Sequence, residues 1–285
     1  LSPSRLLMPL SFAAMLGGFL SWMDGGPEAN CSLGRSAAST EMAYAAHESA
    51  RTGKVVSFPL ERALFAPLEV VQRPIRSGLW GKKILLYADS HFGSGGREGI
   101  ADAFNDITGE EVCVVDAEAR GLSAEDLEGI DALLIYHTQA EVDDSTRTLM
   151  EGWVNDGKPL MITHAGLGAW PNWESYQKWC GHSWDWDISV HPCEPAELKV
   201  TDGDPLGTGW HSAWLPQDEV FVALQEKAPV DIGMTAGIST GDFPAAWRSQ
   251  EVPNVGVWMP GHRRDSWNVP AMREGAARTL LSLFR

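Results

Sequence analysis

From Lys82 onward the chain alternates short apolar runs with longer stretches in which apolar residues recur at helical spacing. Ile84-Leu85-Leu86-Tyr87, Val112 to Asp116, Ala132 to His137, Leu160-Met161-Ile162 and Val255 to Met259 are the apolar runs. They show little polar alternation, which is the pattern of strands covered on both faces. Between them, Arg97 to Ile107 and Ser145 to Asp156 read as helices, the second with Leu149, Met150, Trp153 and Val154 on its inner face. Strand and helix in alternation predict a parallel sheet with helices on both faces. Leu198 to Val200 and Glu219 to Leu224 are further strand candidates. Val269 to Phe284 is a closing amphipathic helix, with Ala276, Leu280, Leu281 and Phe284 inward.

The amino-terminal part has a different texture. Ser36 to Gly53 predicts a helix, since Ala38, Met42, Ala45, Ala46 and Ser49 recur at three- and four-residue spacing. Gly53 is a suitable stop. Leu6 to Leu16 is apolar but is interrupted by Pro9 and followed by no clean cleavage site. It is too short to span a membrane, and a secretory leader is the less favoured reading. Glu61 to Gly81, with Pro67, Pro74 and Gly78 and no sustained period, reads as a linker. The expected organisation is therefore an α-rich appendage over 1–60, a linker over 61–81 and an α/β domain over 82–285.

Lys158 to Gly168 is the stretch with most chemical promise. It runs from a buried strand into a glycine-rich turn and places His164 at the strand's carboxyl end. Ligands of open α/β sheets bind at that edge, and a sharp strand-to-helix turn is also how a nucleophile elbow presents its side chain. His91, His137 and His262 end or flank other strands at the same edge. The segment Trp170 to Pro195, rich in Trp, His, Asp and Pro, is too irregular for a plain crossover and predicts a cap over that edge.

Two chemistries fit this constellation. Histidine exchanges protons near neutral pH, so His164 and His262 suit general acid/base catalysis, with Asp218 or Glu219 orienting a histidine or acting as a base. Three histidines and a carboxylate are also ligand chemistry for Zn, Ni, Fe or Mn, so a divalent transition metal is a candidate cofactor. No H-x-x-x-H or H-E-x-x-H spacing names the ligands. His91 and His191 are candidates for binding substrate. His137 reads as structural, because it directly continues an apolar strand. The tryptophans 170, 173, 179, 184 and 186 are either packing under the cap or a platform for a sugar ring.

Composition narrows the partners. With 22 Lys and Arg against 38 Asp and Glu, the formal net charge of −16 argues against nucleic acid and against anionic membranes. The cysteines 31, 113, 180 and 193 show no C-x-x-C pairing, so a reducing, cytoplasmic setting is the default, with Cys113 buried in its strand.

Two family resemblances emerge from particular residues. Phe19 to Met23, Glu41 to Val56 (with Glu48-Ser49-Ala50-Arg51-Thr52-Gly53-Lys54-Val55-Val56) and Phe58-Pro59-Leu60 resemble the carboxyl tail of the Gfo/Idh/MocA oxidoreductases. The nucleotide-binding glycines and catalytic lysine of that family have no counterpart here, so no nucleotide site is expected. The resemblance implies either loss of an upstream domain or a fusion. Over 82–285 the ordered set Trp153 to Leu160, Thr163-His164-Ala165, Trp170, Trp173-x-x-Tyr176 with Gly181, His191-Pro192, Asp218-Glu219-x-Phe221, and Gly261-His262 with Trp267-Asn268-x-Pro270-Ala271-Met272-Arg273 resembles the ThuA-like (trehalose-utilisation) family. Lys158 and Asp204-Pro205-Leu206-Gly207 depart from its pattern, where a second Gly and a His are common.

This second resemblance implies a flavodoxin-like, three-layer parallel sheet of the class I glutamine amidotransferase-like type. Those relatives use an elbow cysteine; here the elbow carries His164, so a Cys-dependent glutaminase is excluded by residue type. The resemblance also implies work on a disaccharide, glycoside or keto-sugar, either as an enzyme or as a non-catalytic sugar-binding accessory to a sugar dehydrogenase. His164, His262, Glu219 and Asp218 are the expected catalytic set. His91, Trp170, Trp173, His191 and Trp267 are the expected substrate contacts. Metal ligands and oligomeric state are left open.

Overall fold

The computed structural model describes residues 78–201 and 213–284. The expected helix at Ser36 to Gly53, the linker up to residue 77 and the Gfo/Idh/MocA-like stretch lie outside those residues. Among the described residues no helix is long and apolar enough to cross a membrane.

The elements in chain order are β1 (Ile84–Ala88), α1 (Gly96–Thr108), β2 (Cys113–Asp116), β3 (Ala132–Tyr136), α2 (Asp144–Asn155), β4 (Leu160–Thr163), α3 (Glu174–Cys180) and β5 (His182–Ser183). After them come β6 (Cys193–Val200), β7 (Ala213–Glu219), β8 (Gln225–Glu226), β9 (Val230–Ile238), β10 (Gly241–Ser249), β11 (Val255–Trp258) and α4 (Pro270–Leu281). The main sheet runs β2-β1-β3-β4-β11-β10-β9-β6-β7. Its first five strands pair in parallel. Their order, with β11 as fifth strand, is the flavodoxin-like order of doubly wound sheets.

The apolar runs explain this half. Every residue of β1, β3, β4 and β11 is buried. Helix α2 starts where Asp143 caps it, its side chain accepting from Thr146 N at 2.8 Å. Helix α4 starts on Pro270, whose missing N–H is no loss in a first turn. It approaches β11 closely because position 275 is glycine. A Cβ there would lie 2.2 Å from the Trp258 ring.

Three expectations need correction. The sheet is mixed, not parallel throughout: β10, β9, β6 and β7 add antiparallel strands beyond β11. Glu219 to Leu224 is not a continuous strand: β7 ends at Glu219, Val220 and Phe221 are buried, and beyond them Val222 makes only an isolated antiparallel bridge with Val190 before the exposed Ala223. Cys113 is exposed, because β2 is the edge of the sheet and three of its four residues are open to solvent.

The close fit of α4 on β11 is testable. Gly275→Ala should lower the unfolding free energy by about 1–3 kcal/mol through overpacking, read as a shifted urea midpoint at unchanged slope. Wild-type stability would mean that the helix has room to spare.

Candidate active site

The strand order reverses between β1 and β3, and the carboxyl ends of the parallel strands meet there. His91 follows β1, His164 follows β4, and His262 follows β11. Two of these positions carry backbone strain. His164 opens the turn after β4 with φ 32°, and His91 and Phe92 have φ 39° and 57°. Non-glycine residues in this region cost on the order of 1–3 kcal/mol, and they persist only where the surroundings enforce them.

Buried carboxylates hold the loops that carry His91 and His262. Asp89 accepts from His91 N and Thr138 N, both at 2.8 Å, and from Thr138 Oγ1 at 3.2 Å. It ties together the loops after β1 and β3. Asp218 is fully buried at the end of β7. It accepts from Gly261 N at 2.7 Å, Glu219 N at 2.9 Å and His262 N at 3.2 Å. Burial pushes its carboxyl up from the ordinary value, against the opposing pull of His164 and the three N–H donors. Although β7 is the far edge of the sheet in pairing order, these bonds bring its end onto the turn that carries His262. Tyr136 at the end of β3 reaches the same turn, donating to the His262 carbonyl at 3.2 Å.

The neighbouring Glu219 is the hub. Its Oε2 lies 3.5 Å from His164 Nε2 and 3.4 Å from His262 Nδ1, and its Oε1 lies 3.3 Å from His191 Nδ1. His164 Nε2 and His262 Nδ1 are 3.3 Å apart. His164 is fully buried, and its Nδ1 sits 2.8 Å from the Met259 carbonyl. A carbonyl only accepts, so Nδ1 carries the hydrogen and Nε2 faces Glu219 and His262. Burial, then the neighbouring His164 and His262, lowers His91 to about 3. Burial and His164 lower His262. Burial would raise Glu219, but the hydrogen bond and charge of His164, with His262 and His191, hold it below its usual value. The site thus combines a carboxylate held towards its ionised form with two imidazoles, His91 and His262, that resist protonation.

This cluster forms the wall of a cavity of about 160 Å³, lined also by Phe92, Thr138, Trp184, Trp186 and Phe221. Phe92 is 84% and Trp186 56% exposed. Large apolar faces therefore rim a polar floor.

The structure gathers His262, Glu219, His91 and His191 on the wall of this cavity and places the fully buried His164 behind it, against His262 and Glu219. Asp218 is close by but has both oxygens committed to backbone N–H groups, so it is a positioning residue and not a proton carrier. The substrate expectation for Trp170, Trp173 and Trp267 gives way to packing: all three are buried and none lines the cavity. Trp173 stacks on Tyr176, and Trp170 and Trp179 meet these two rings tilted or edge-on, which follows from a short helix, α3, forming where an irregular cap was expected. Trp267 Nε1 donates to the Gly261 carbonyl at 3.2 Å and so braces the turn before His262. His137 is fully buried, with its ring edge-on to Tyr87 and Trp170, and does not line the cavity. Phe92 and Thr138 were not visible as site residues in the sequence; their only signal is adjacency to His91 and His137.

A protein-family model described as ThuA, "Trehalose utilisation", matches residues 83–281. The chain belongs to the ThuA family. Two solved ThuA-like structures are similar to this ThuA chain. One, from Bacteroides uniformis, has 15% identity and a TM-score of 0.58, covering 72% of this chain and 91% of its own. The other, from Parabacteroides merdae, has 13% identity and a TM-score of 0.59, covering 70% and 88%. At such identity the likeness concerns the fold. No curated protein matches the chain.

Asp218 offers a direct check on this architecture. Asp218→Asn replaces an acceptor oxygen with an NH2 group facing an N–H donor. It should cost about 1–3 kcal/mol of stability per donor left unsatisfied, measured by chemical denaturation. An unchanged midpoint would show that the three bonds do not hold the loop.

Proposed function

We propose that this ThuA-family chain is an enzyme of carbohydrate catabolism that moves protons on a sugar, a keto-sugar being the best substrate class. The observation that carries this reading is Glu219: a carboxylate held ionised within 3.3–3.5 Å of three histidines, on the wall of a cavity with an aromatic rim. The family description, "Trehalose utilisation", supports the substrate class.

The chemistry follows from the groups present. A carbon next to a ketone is acidic enough for a positioned carboxylate to take its proton. In this reading Glu219 is that base. His262, half-open to the cavity, donates to the developing enolate oxygen or returns the proton to the neighbouring carbon. His164 is oriented by the Met259 carbonyl and holds Glu219 in place. His191 contacts the other carboxylate oxygen from the rim and is suited to a sugar hydroxyl. Trp184 and Trp186 present flat apolar faces to the C–H side of a pyranose ring. A sugar dehydrogenase supplying the ketone is the partner this chemistry calls for.

The test is proton exchange. Incubated in D2O with keto-glycosides, the protein should promote deuterium incorporation at the carbon next to the ketone, followed by NMR. Glu219→Gln should slow this by about 10²–10⁴-fold with binding retained. Tight sugar binding with no exchange and no turnover by the wild type would overturn the enzyme and leave a binding module. Trp186→Ala should raise KM roughly fivefold, the equivalent of about 1 kcal/mol of ring contact, with kcat nearly unchanged. A fall in kcat alone would place Trp186 in the chemistry and not on the platform.

A further inference from the structure

The centre of the cluster has a shortage of hydrogens that points to a cation. His164 Nδ1 spends its hydrogen on the Met259 carbonyl, so in the neutral ring Nε2 is a lone pair. That lone pair faces Glu219 Oε2, which only accepts, and His262 Nδ1. One hydrogen on His262 Nδ1 can bridge one edge of this triangle, leaving the remaining corner with acceptor facing acceptor. A second observation concerns His91, which is 8% exposed and whose Nδ1 is buried with no hydrogen-bond partner. One ring nitrogen each from His91, His164 and His262 lie within 4.8 Å of one another. Leaving these groups unsatisfied in a buried site would be costly.

We infer that His91, His164 and His262 bind one divalent transition-metal ion, with the Glu219 carboxylate beside it. Nitrogen and oxygen donors about 2.0–2.1 Å from a tetrahedral ion lie roughly 3.3–3.4 Å from each other. The three edges among His164 Nε2, His262 Nδ1 and Glu219 Oε2 are 3.3, 3.4 and 3.5 Å. The outer support is also of the kind metal-ligating histidines have. His164 gives its other N–H to a backbone carbonyl, fixing tautomer and ring orientation. His91 and His262 ride on backbone segments clamped by Asp89 and Asp218. Neutral imidazoles and one carboxylate favour zinc, manganese, iron(II), cobalt or nickel over calcium or magnesium. Three strand ends converge on the ion, so the site is built by the sheet and not by a local sequence motif. The cavity lies on one side of it, which leaves that side open to a ligand oxygen.

The inference goes beyond the proposed proton transfer and does not rest on it, because binding is read without any sugar. The whole chain is loaded in turn with Zn, Mn, Co, Ni and Fe(II), dialysed, and its metal counted by plasma mass spectrometry. The expected result is one equivalent of at least one of these ions per chain. It should fall at least tenfold in His164→Ala and in His262→Ala and persist in His182→Ala, which alters a histidine packed on Trp247 away from the cavity. X-ray absorption on the loaded wild type should show about three imidazole ligands, which decides the matter even where a variant fails to fold. Absence of bound metal with all five ions would overturn the site. So would retention in both variants, or one imidazole or none at the bound ion. Metal bound without deuterium exchange would leave this site standing and remove the proposed reaction; exchange in a metal-free protein would do the reverse.

Discussion

The site depends on two buried aspartates that satisfy backbone N–H groups instead of substrate. Asp89 and Asp218 each accept three hydrogen bonds. A buried carboxylate without partners is expensive, and so is a buried N–H. Each therefore fixes the position of the other. The consequence is that the loops bearing His91 and His262, and the strand end bearing Glu219, are held within hydrogen-bond tolerance of each other. The strained backbone at His91 is bonded directly into this frame.

The mixed sheet serves the same end. Five parallel strands bring three histidines to a common edge, because each strand leaves the sheet on that side. A parallel sheet by itself delivers no carboxylate to this set. The antiparallel strands beyond β11 do so, by returning β7 with Asp218 and Glu219 to the turn after β11. The cap adds the aromatic rim. Trp170 and Trp173 anchor it from below, while Trp184 and Trp186 face the cavity. The tryptophans thus divide by depth: those that pack the cap and those that line the cavity.

Electrostatics gives the site its character. His91 and His262 resist protonation through burial and the repulsion of neighbouring histidines, and the carboxylate is held towards its ionised form beside them. Such a group of donors is rich in lone pairs and poor in hydrogens. The proposed proton transfer and the inferred cation site both draw on that same imbalance.

Much of this was legible in the chain itself. Continuous apolar runs specify strands buried on both faces, and so located β1, β3, β4 and β11, while the flavodoxin-like arrangement was implied by the family resemblance. His164 and His262 were visible as strand-end residues next to glycines, and the motif-borne Asp218-Glu219 pair was visible beside them. What tertiary structure alone decided was the division of labour. Asp218 and Glu219 are adjacent, yet successive residues of a strand point to opposite sides, so one is locked to backbone and the other faces the histidines. Trp170 and Trp186 are of one residue type in one segment, but only the packing of α3 determines which is covered. The antiparallel extension was read as fewer and misplaced strands, because an edge or half-exposed strand carries a weak pattern and its pairing is a long-range event. Local sequence specifies which stretches must be buried; which polar atoms meet inside depends on hydrogen bonds between residues more than forty positions apart, such as Asp218 to Gly261.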